Sequence, residues 1–297
     1  MADISVPDGS WTFDGETLRI VPGGDKNVHE LRKVLGQLDI PLAAIAGVSF
    51  EPSRKGGSLQ LRLRPGADPL TDVVAGRLLS TADPYRLAVP KDRTGAAEYL
   101  ADEVRTHLTL EQVPGGPVEG FLLPGPAVPV SASAGDGSVS FDGERVHLEW
   151  TLFAKSVKQT AGPQTFLLSE LAGVEWAPQS GAGYGRLRFR LKDGDPVKSP
   201  EEDPRSLSWG IQRYGGLTAL VAAAVLARLP REAGEPTAPS PAHPGDQEAL
   251  RRRLAELESH DALVRRLGDL GELHRSGVLT DEEFRSAKQV LLRGLVN

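Results

Sequence analysis

The chain has 297 residues, 39% hydrophobic and 25% charged, which suits two globular domains and a smaller third. It has no cysteine, which excludes disulfides, thiol catalysis and cysteine-ligated zinc and fits a reducing, cytoplasmic setting. The formal net charge of −6 gives no overall argument for nucleic acid or an anionic membrane as the main partner.

Residues 1–8 carry neither a basic region nor an apolar core, so no signal peptide is expected. Residues 10–19 read SWTFDGETLR, and Asp14-Gly15 between two alternating runs is a hairpin signal. A two-residue turn there pairs Phe13 with Glu16 and Trp11 with Leu18. Side chains alternate faces along a strand, so Trp11, Phe13, Leu18 and Ile20 share the buried face. Residues 25–38 give a mixed pattern. Residues 42–50 and 59–64 read as strands, 70–80 as partly a loop insertion, and 85–89 as another strand. Ala97, Leu100, Val104 and Leu108 form one stripe of an amphipathic helix over 94–108, with Thr94 as its N-cap.

The same order then recurs. Residues 138–147 read SVSFDGERVH, 128 positions after the first hairpin, and put Val139, Phe141, Val146, Leu148 and Trp150 on one face. IAGVSFEP at 45–52 returns as LAGVEWAP at 171–178, and LQLRL at 59–63 as LRFRL at 187–191. Asp83-Pro84 with Leu87 matches Asp203-Pro204 with Leu207 at the shorter spacing of 120. Ordered matches with drifting offsets indicate a duplicated domain rather than a short-period solenoid. The expected organisation is a first β-barrel-like repeat over 6–112, a Pro/Gly-rich linker over 113–135 that lies partly on a domain surface, and a second repeat over 136–230. A flexible linker over 231–246 and a helical tail over 247–297 follow. The most apolar run, 217–229, is too short to span a bilayer.

The tail carries leucine stripes at helical spacing, Leu263, Leu267, Leu270 and Leu273, then Phe284, Ala287, Leu291 and Leu295. Gly277 ends one helix, and Thr280 with Glu283 forms a capping box for the next. Ten or more strands in two sets, each followed by one helix, resemble two small antiparallel barrels of the pleckstrin-homology-like fold, mostly β with α. Residues 262–293, with Gly-Val-Leu-Thr-Asp-Glu-Glu-Phe at 277–284, resemble the bacterial short C-terminal (SHOCT) domain. The duplicated part resembles a tandem actinobacterial family of domains of unknown function. These resemblances imply oligomerisation or partner contact through the tail and supply no catalytic residue.

Arg186, Arg188 and Arg190 alternate along one strand, as do Arg62 and Arg64 in the first copy. That pattern fits an anion-binding face, or a solvated face or charged edge that resists aggregation. The six histidines have no mutual metal-ligand spacing, so no metal and no cofactor is expected. The glycine-rich stretches at 181–185 and 22–26 lack nucleotide-loop spacing and read as turns. The acidic run 201–203 reads as solvated. The run 217–226 replaces the polar positions of its counterpart with Thr218, Ala222, Ala223 and Val225, which fits a helix buried on all sides, or an alanine-rich helix with one face in water. Leu217 and Val221 on it, with Leu267, Leu270, Phe284 and Leu291 of the tail, are the candidate interface for a protein partner or for self-association. The expected function is a non-enzymatic interaction or scaffold protein. The alternative is a peripheral membrane protein holding anionic phospholipid headgroups on the arginine faces. Nucleic acid is not an expected partner.

Overall fold

The computed structural model describes residues 1–180, 183–194, 199–210 and 215–230. The linker after 230 and the tail, with Leu267, Leu270, Phe284 and Leu291, lie outside the described residues.

Strands β1 (Ala2–Val6), β2 (Gly9–Phe13), β3 (Thr17–Pro22) and β4 (Leu38–Pro41) form a four-stranded antiparallel sheet in chain order, with helix α1 (Glu30–Leu35) between the last two. Strands β5 (Ile45–Ser53), β6 (Gly56–Leu63) and β7 (Arg86–Pro90) form a three-stranded sheet, with α2 (Pro69–Val74) inserted before β7. Helix α3 (Thr94–Leu110) closes the half. The second half repeats the plan. Strands β8 (Val130–Ala134), β9 (Gly137–Phe141), β10 (Arg145–Trp150) and β11 (Gln164–Leu167) pair in order, with α4 (Ser156–Ala161) before β11. Then β12 (Leu171–Ala177), β13 (Gly185–Leu191) and β14 (Ser206–Trp209) precede α5 (Gly216–Leu226). Even the irregularities recur: β5 and β12 each shift register one residue before the glycine, Gly47 and Gly173, that follows their first pair.

Two expectations need correction here. The sheets do not close into barrels; each half keeps two separate ladders of four and three strands. In the first half the reason is visible, because α3 packs on both β5 and β1 and covers the gap where closure would bring edges together. The hairpin turns are also longer than expected. Phe13 pairs with Leu18 and Trp11 with Ile20, leaving a four-residue loop. A type I′ turn needs positive φ at both central residues, and Gly15 has it (+111°) while Asp14 does not. Asp14 instead accepts the N–H groups of Glu16 and Thr17 on its own Oδ1, at 2.9 and 2.8 Å. Asp142 does the same for Glu144 and Arg145. These bonds to the charged form hold both carboxyls below their ordinary value.

Strand β8 lies within the stretch read as linker. The rest of that stretch is tied to the first half: Leu122 and Leu123 donate to the Ala67 carbonyl, and Leu123 is buried in the first core. That core also holds Trp11, Phe13, Leu18, Leu59 and Leu100.

The second core crosses between the halves. Helix α5 is buried at every position from Thr218 to Val225. Its inner side faces β8, β9 and β12, and its outer side is covered by α1 and α2 of the first half. Leu31, Leu70, Val73 and Val74 of the first half belong to the same apolar cluster as Leu220, Val221 and Val225. Full burial of one such side chain stabilises by about 1.5–3 kcal/mol, so this contact fuses the halves. Val221 is therefore an internal packing residue and not an outward docking point, and Leu217 is half-buried against the same cluster. Gly125 passes where a side chain would collide with Pro69 and Ala227, letting the linker run against both α2 and α5.

Candidate functional site

The arginine faces come first. Arg188 Nε donates to Asp203 Oδ2 at 2.7 Å, and both side chains are almost wholly buried. Asp203 also accepts the N–H of Arg205. The first half makes the same contact with a neutral residue: Gln60 donates to Asp83 Oδ2 at 3.0 Å, and Asp83 accepts from Tyr85 N–H. Arg188 thus holds the turn into β14 as Gln60 holds the turn into β7. Arg190 lies 3.4 Å from Glu175 Oε1, across the bare backbone of Gly173, where any side chain would strike its guanidinium. Arg62 lies over Gly47 in the same way and is exposed. Arg64 donates to the carbonyls of Ala43, Gly116 and Pro117, pinning the linker. Three of the five arginines named from the sequence therefore have partners within the chain, and the strands do not present five cations together.

Arg186 sits elsewhere. With Asp72 and Arg77 of the first half and Glu175 and Trp176 of the second, it lines an open cleft of about 360 Å3 at the junction. Arg77 spans the junction, donating to the Trp176 carbonyl at 2.7 Å and to the Val74 carbonyl at 3.1 Å. The rim thus mixes two carboxylates with two guanidiniums, a pattern that complements a polar peptide surface better than a lone anion.

A second arrangement, which the sequence reading missed, recurs in both halves. Asp136, at the β8–β9 turn, accepts from Lys158 Nζ at 2.6 Å, from Ser208 N–H at 2.9 Å and from Ser208 Oγ at 2.6 Å. Lys158 comes from α4 and is fully buried; it also donates to the Ser206 carbonyl at 2.6 Å and lies 4.9 Å from the Trp150 ring. Burial pulls its pKa below the ordinary value, with Asp136 opposing. In the first half Asp8 takes the Arg32 guanidinium of α1 at 2.8 Å and the Ala88 N–H at 2.8 Å. Each latch joins the first turn, the short helix and the last strand. The signal lay in the sequence: Asp8-Gly9 and Asp136-Gly137 share the 128-residue spacing of the hairpins.

A third polar cluster lies in the first half. Asp68 caps α2 through Leu70 and Thr71 N–H and accepts from Tyr85 Oη at 2.8 Å. Burial, then the neighbouring carboxylate, raises the Tyr85 pKa well above 10.0. His29, the N-cap of α1, accepts from Leu31 N–H, and burial lowers its pKa. Among the described residues no group of His, Asp or Glu has the proximity to hold a metal ion. No helix among them is long and apolar enough to cross a membrane.

These features define a tandem, β-rich protein built from two copies of one unit of seven strands and a closing helix. The chain belongs to the family described as Domain of unknown function (DUF4429), which matches residues 11–105 and 139–226, more than half of its length. The two matched segments fall one in each half. No curated protein matches the chain.

Proposed function

We propose that the chain is a non-enzymatic, cytoplasmic interaction protein. Its two modules form one body that receives a protein partner, and its tail, 247–297, self-associates or docks. The junction cleft carries this reading: it takes charged side chains of both signs from both halves, so it exists only in the fused tandem. The internal latches support it too, since the ion pairs of Lys158 with Asp136 and of Arg188 with Asp203 hold turns together. Four plus three strands with a closing helix support a pleckstrin-homology-like reading of each module, with open sheets in place of closed barrels. The tail is read as SHOCT-like from residues 277–284. The arginine faces give headgroup binding less support, because Arg64, Arg188 and Arg190 have partners inside the chain.

Light scattering of the full chain at matched concentrations tests the tail. Wild type is expected to be oligomeric, and Phe284→Ser/Leu291→Ser to be monomeric with an unchanged circular dichroism spectrum. A monomeric wild type whose captured partners match those of the variant would sink the proposal.

A further inference from the structure

We infer that the loop joining β10 to α4 is a membrane-insertion tip. Leu152 is 93% exposed and Phe153 88% exposed, the highest values of any large apolar side chains in the described interior of the chain. They are adjacent and sit at the apex of an ordered turn. Ala154 N–H donates to the Thr151 carbonyl at 3.1 Å, and Phe153 N–H to Thr151 Oγ1 at 3.3 Å. From α4, Gln159 Nε2 donates to the carbonyls of Leu152 and Ala154 at 3.2 and 2.9 Å. The backbone is thus held so that both side chains point into water.

The first half supplies the control. There the same turn is made by Asp25, whose carbonyl accepts from Val28 N–H and whose Oδ1 accepts from Asn27 N–H. Val28 and Ala154 are both buried at equivalent places. The residues at the apex, however, are Lys26 and Asn27 where the second half has Leu152 and Phe153. The turn therefore forms without apolar residues, and folding does not explain them. Their surroundings differ in charge as well. Lys155 is exposed beside the tip and no acidic residue lies between Glu149 and Glu170, whereas residues 25–43 include Asp25, Glu30 and Asp39.

The occupant follows from shape and size. A stable protein interface buries roughly 800 Å2 on each side, far more than two side chains offer. A convex apolar pair needs a medium that yields around it, and the interfacial region of a bilayer does so, with Lys155 facing anionic headgroups. The tip is distinct from the arginine strands.

The test uses the full chain with vesicles of phosphatidylcholine, alone or mixed with phosphatidylglycerol. Wild type is expected to co-sediment with both and more strongly with the mixture, and salt should weaken only the extra binding. Leu152→Ser/Phe153→Asn should lower partition onto neutral vesicles by about tenfold or more, since both apolar groups are lost. Phe153→Trp should shift its emission to shorter wavelength when vesicles are added, read against wild type. Equal partition of wild type and the double variant would overturn the inference, as would a Phe153→Trp emission unmoved by lipid. So would a double variant that loses a protein partner while vesicle binding is unchanged.

Discussion

Replacing Asp136 by Ala removes three acceptor contacts at once and strands a buried ammonium. Lys158 is fully buried and keeps the Ser206 carbonyl as its hydrogen-bond acceptor and the Trp150 ring 4.9 Å away, while Ser208 loses the partner of both its N–H and its hydroxyl. Breaking such a pair from one side costs about 3–5 kcal/mol, mostly because the remaining charge is left without compensation. With a urea slope of about 2 kcal/mol per molar, the midpoint should fall by about 2 M. Asp8→Ala is the internal comparison. Arg32 keeps its bond to the Asp8 backbone carbonyl, and Asp8 is 21% exposed, so water can replace part of what is lost. A loss of about 1–2 kcal/mol is expected there. Urea denaturation followed by tryptophan fluorescence measures both. Adding Lys158→Met to Asp136→Ala should recover much of the loss, because the uncompensated charge is gone, and a double-mutant cycle isolates that coupling. Equal losses for Asp8→Ala and Asp136→Ala, or no recovery with Lys158→Met, would refute the latch as described.

Two further outcomes follow from the turns. The Asp14 and Asp142 carboxyls have folded-state pKa values below 3.8, so their stabilisation is present above that value and is lost as pH falls through the lowered one. Asp14→Asn/Asp142→Asn keeps the acceptor but not the titration, so melting temperatures of wild type and variant should converge between about pH 5 and about pH 2. At the second turn, Arg188→Gln should be tolerated better than Arg188→Ala, because Gln60 makes the equivalent bond to Asp83. Urea midpoints ranked the other way would contradict the assignment of Arg188 as a turn-holding residue.

The hairpins show how sequence can be right about faces while wrong about register. The expected pairing was off by two residues, and because side chains alternate with a period of two, Trp11, Phe13, Leu18 and Ile20 still fall on the buried face. Strand β8 was not legible because Val130–Ala134 reads VSASA, with small and polar residues that look like linker; its burial comes from α5 lying across it. The latches escaped because Asp136 and Lys158 are 22 positions apart, and only the fold shows that α4 brings its lysine to the turn. The arginine strand was legible as a pattern but not as a role. Alternation places Arg188 and Arg190 on one face, while their partners Asp203 and Glu175 are supplied by neighbouring strands and turns.

The α2–α5 contact also makes the two copies unequal. The socket, α2, is an insertion of the first copy, and the plug, the all-apolar α5, belongs to the second. Helix α3, the first copy's own closing helix, keeps an outer surface with Glu98, Asp102 and Arg105 exposed, so it cannot serve as a plug. The copies have become complementary rather than interchangeable. A tandem of two copies of the first kind would have to set the charged outer surface of α3 against α2. Duplication here produced a matched pair.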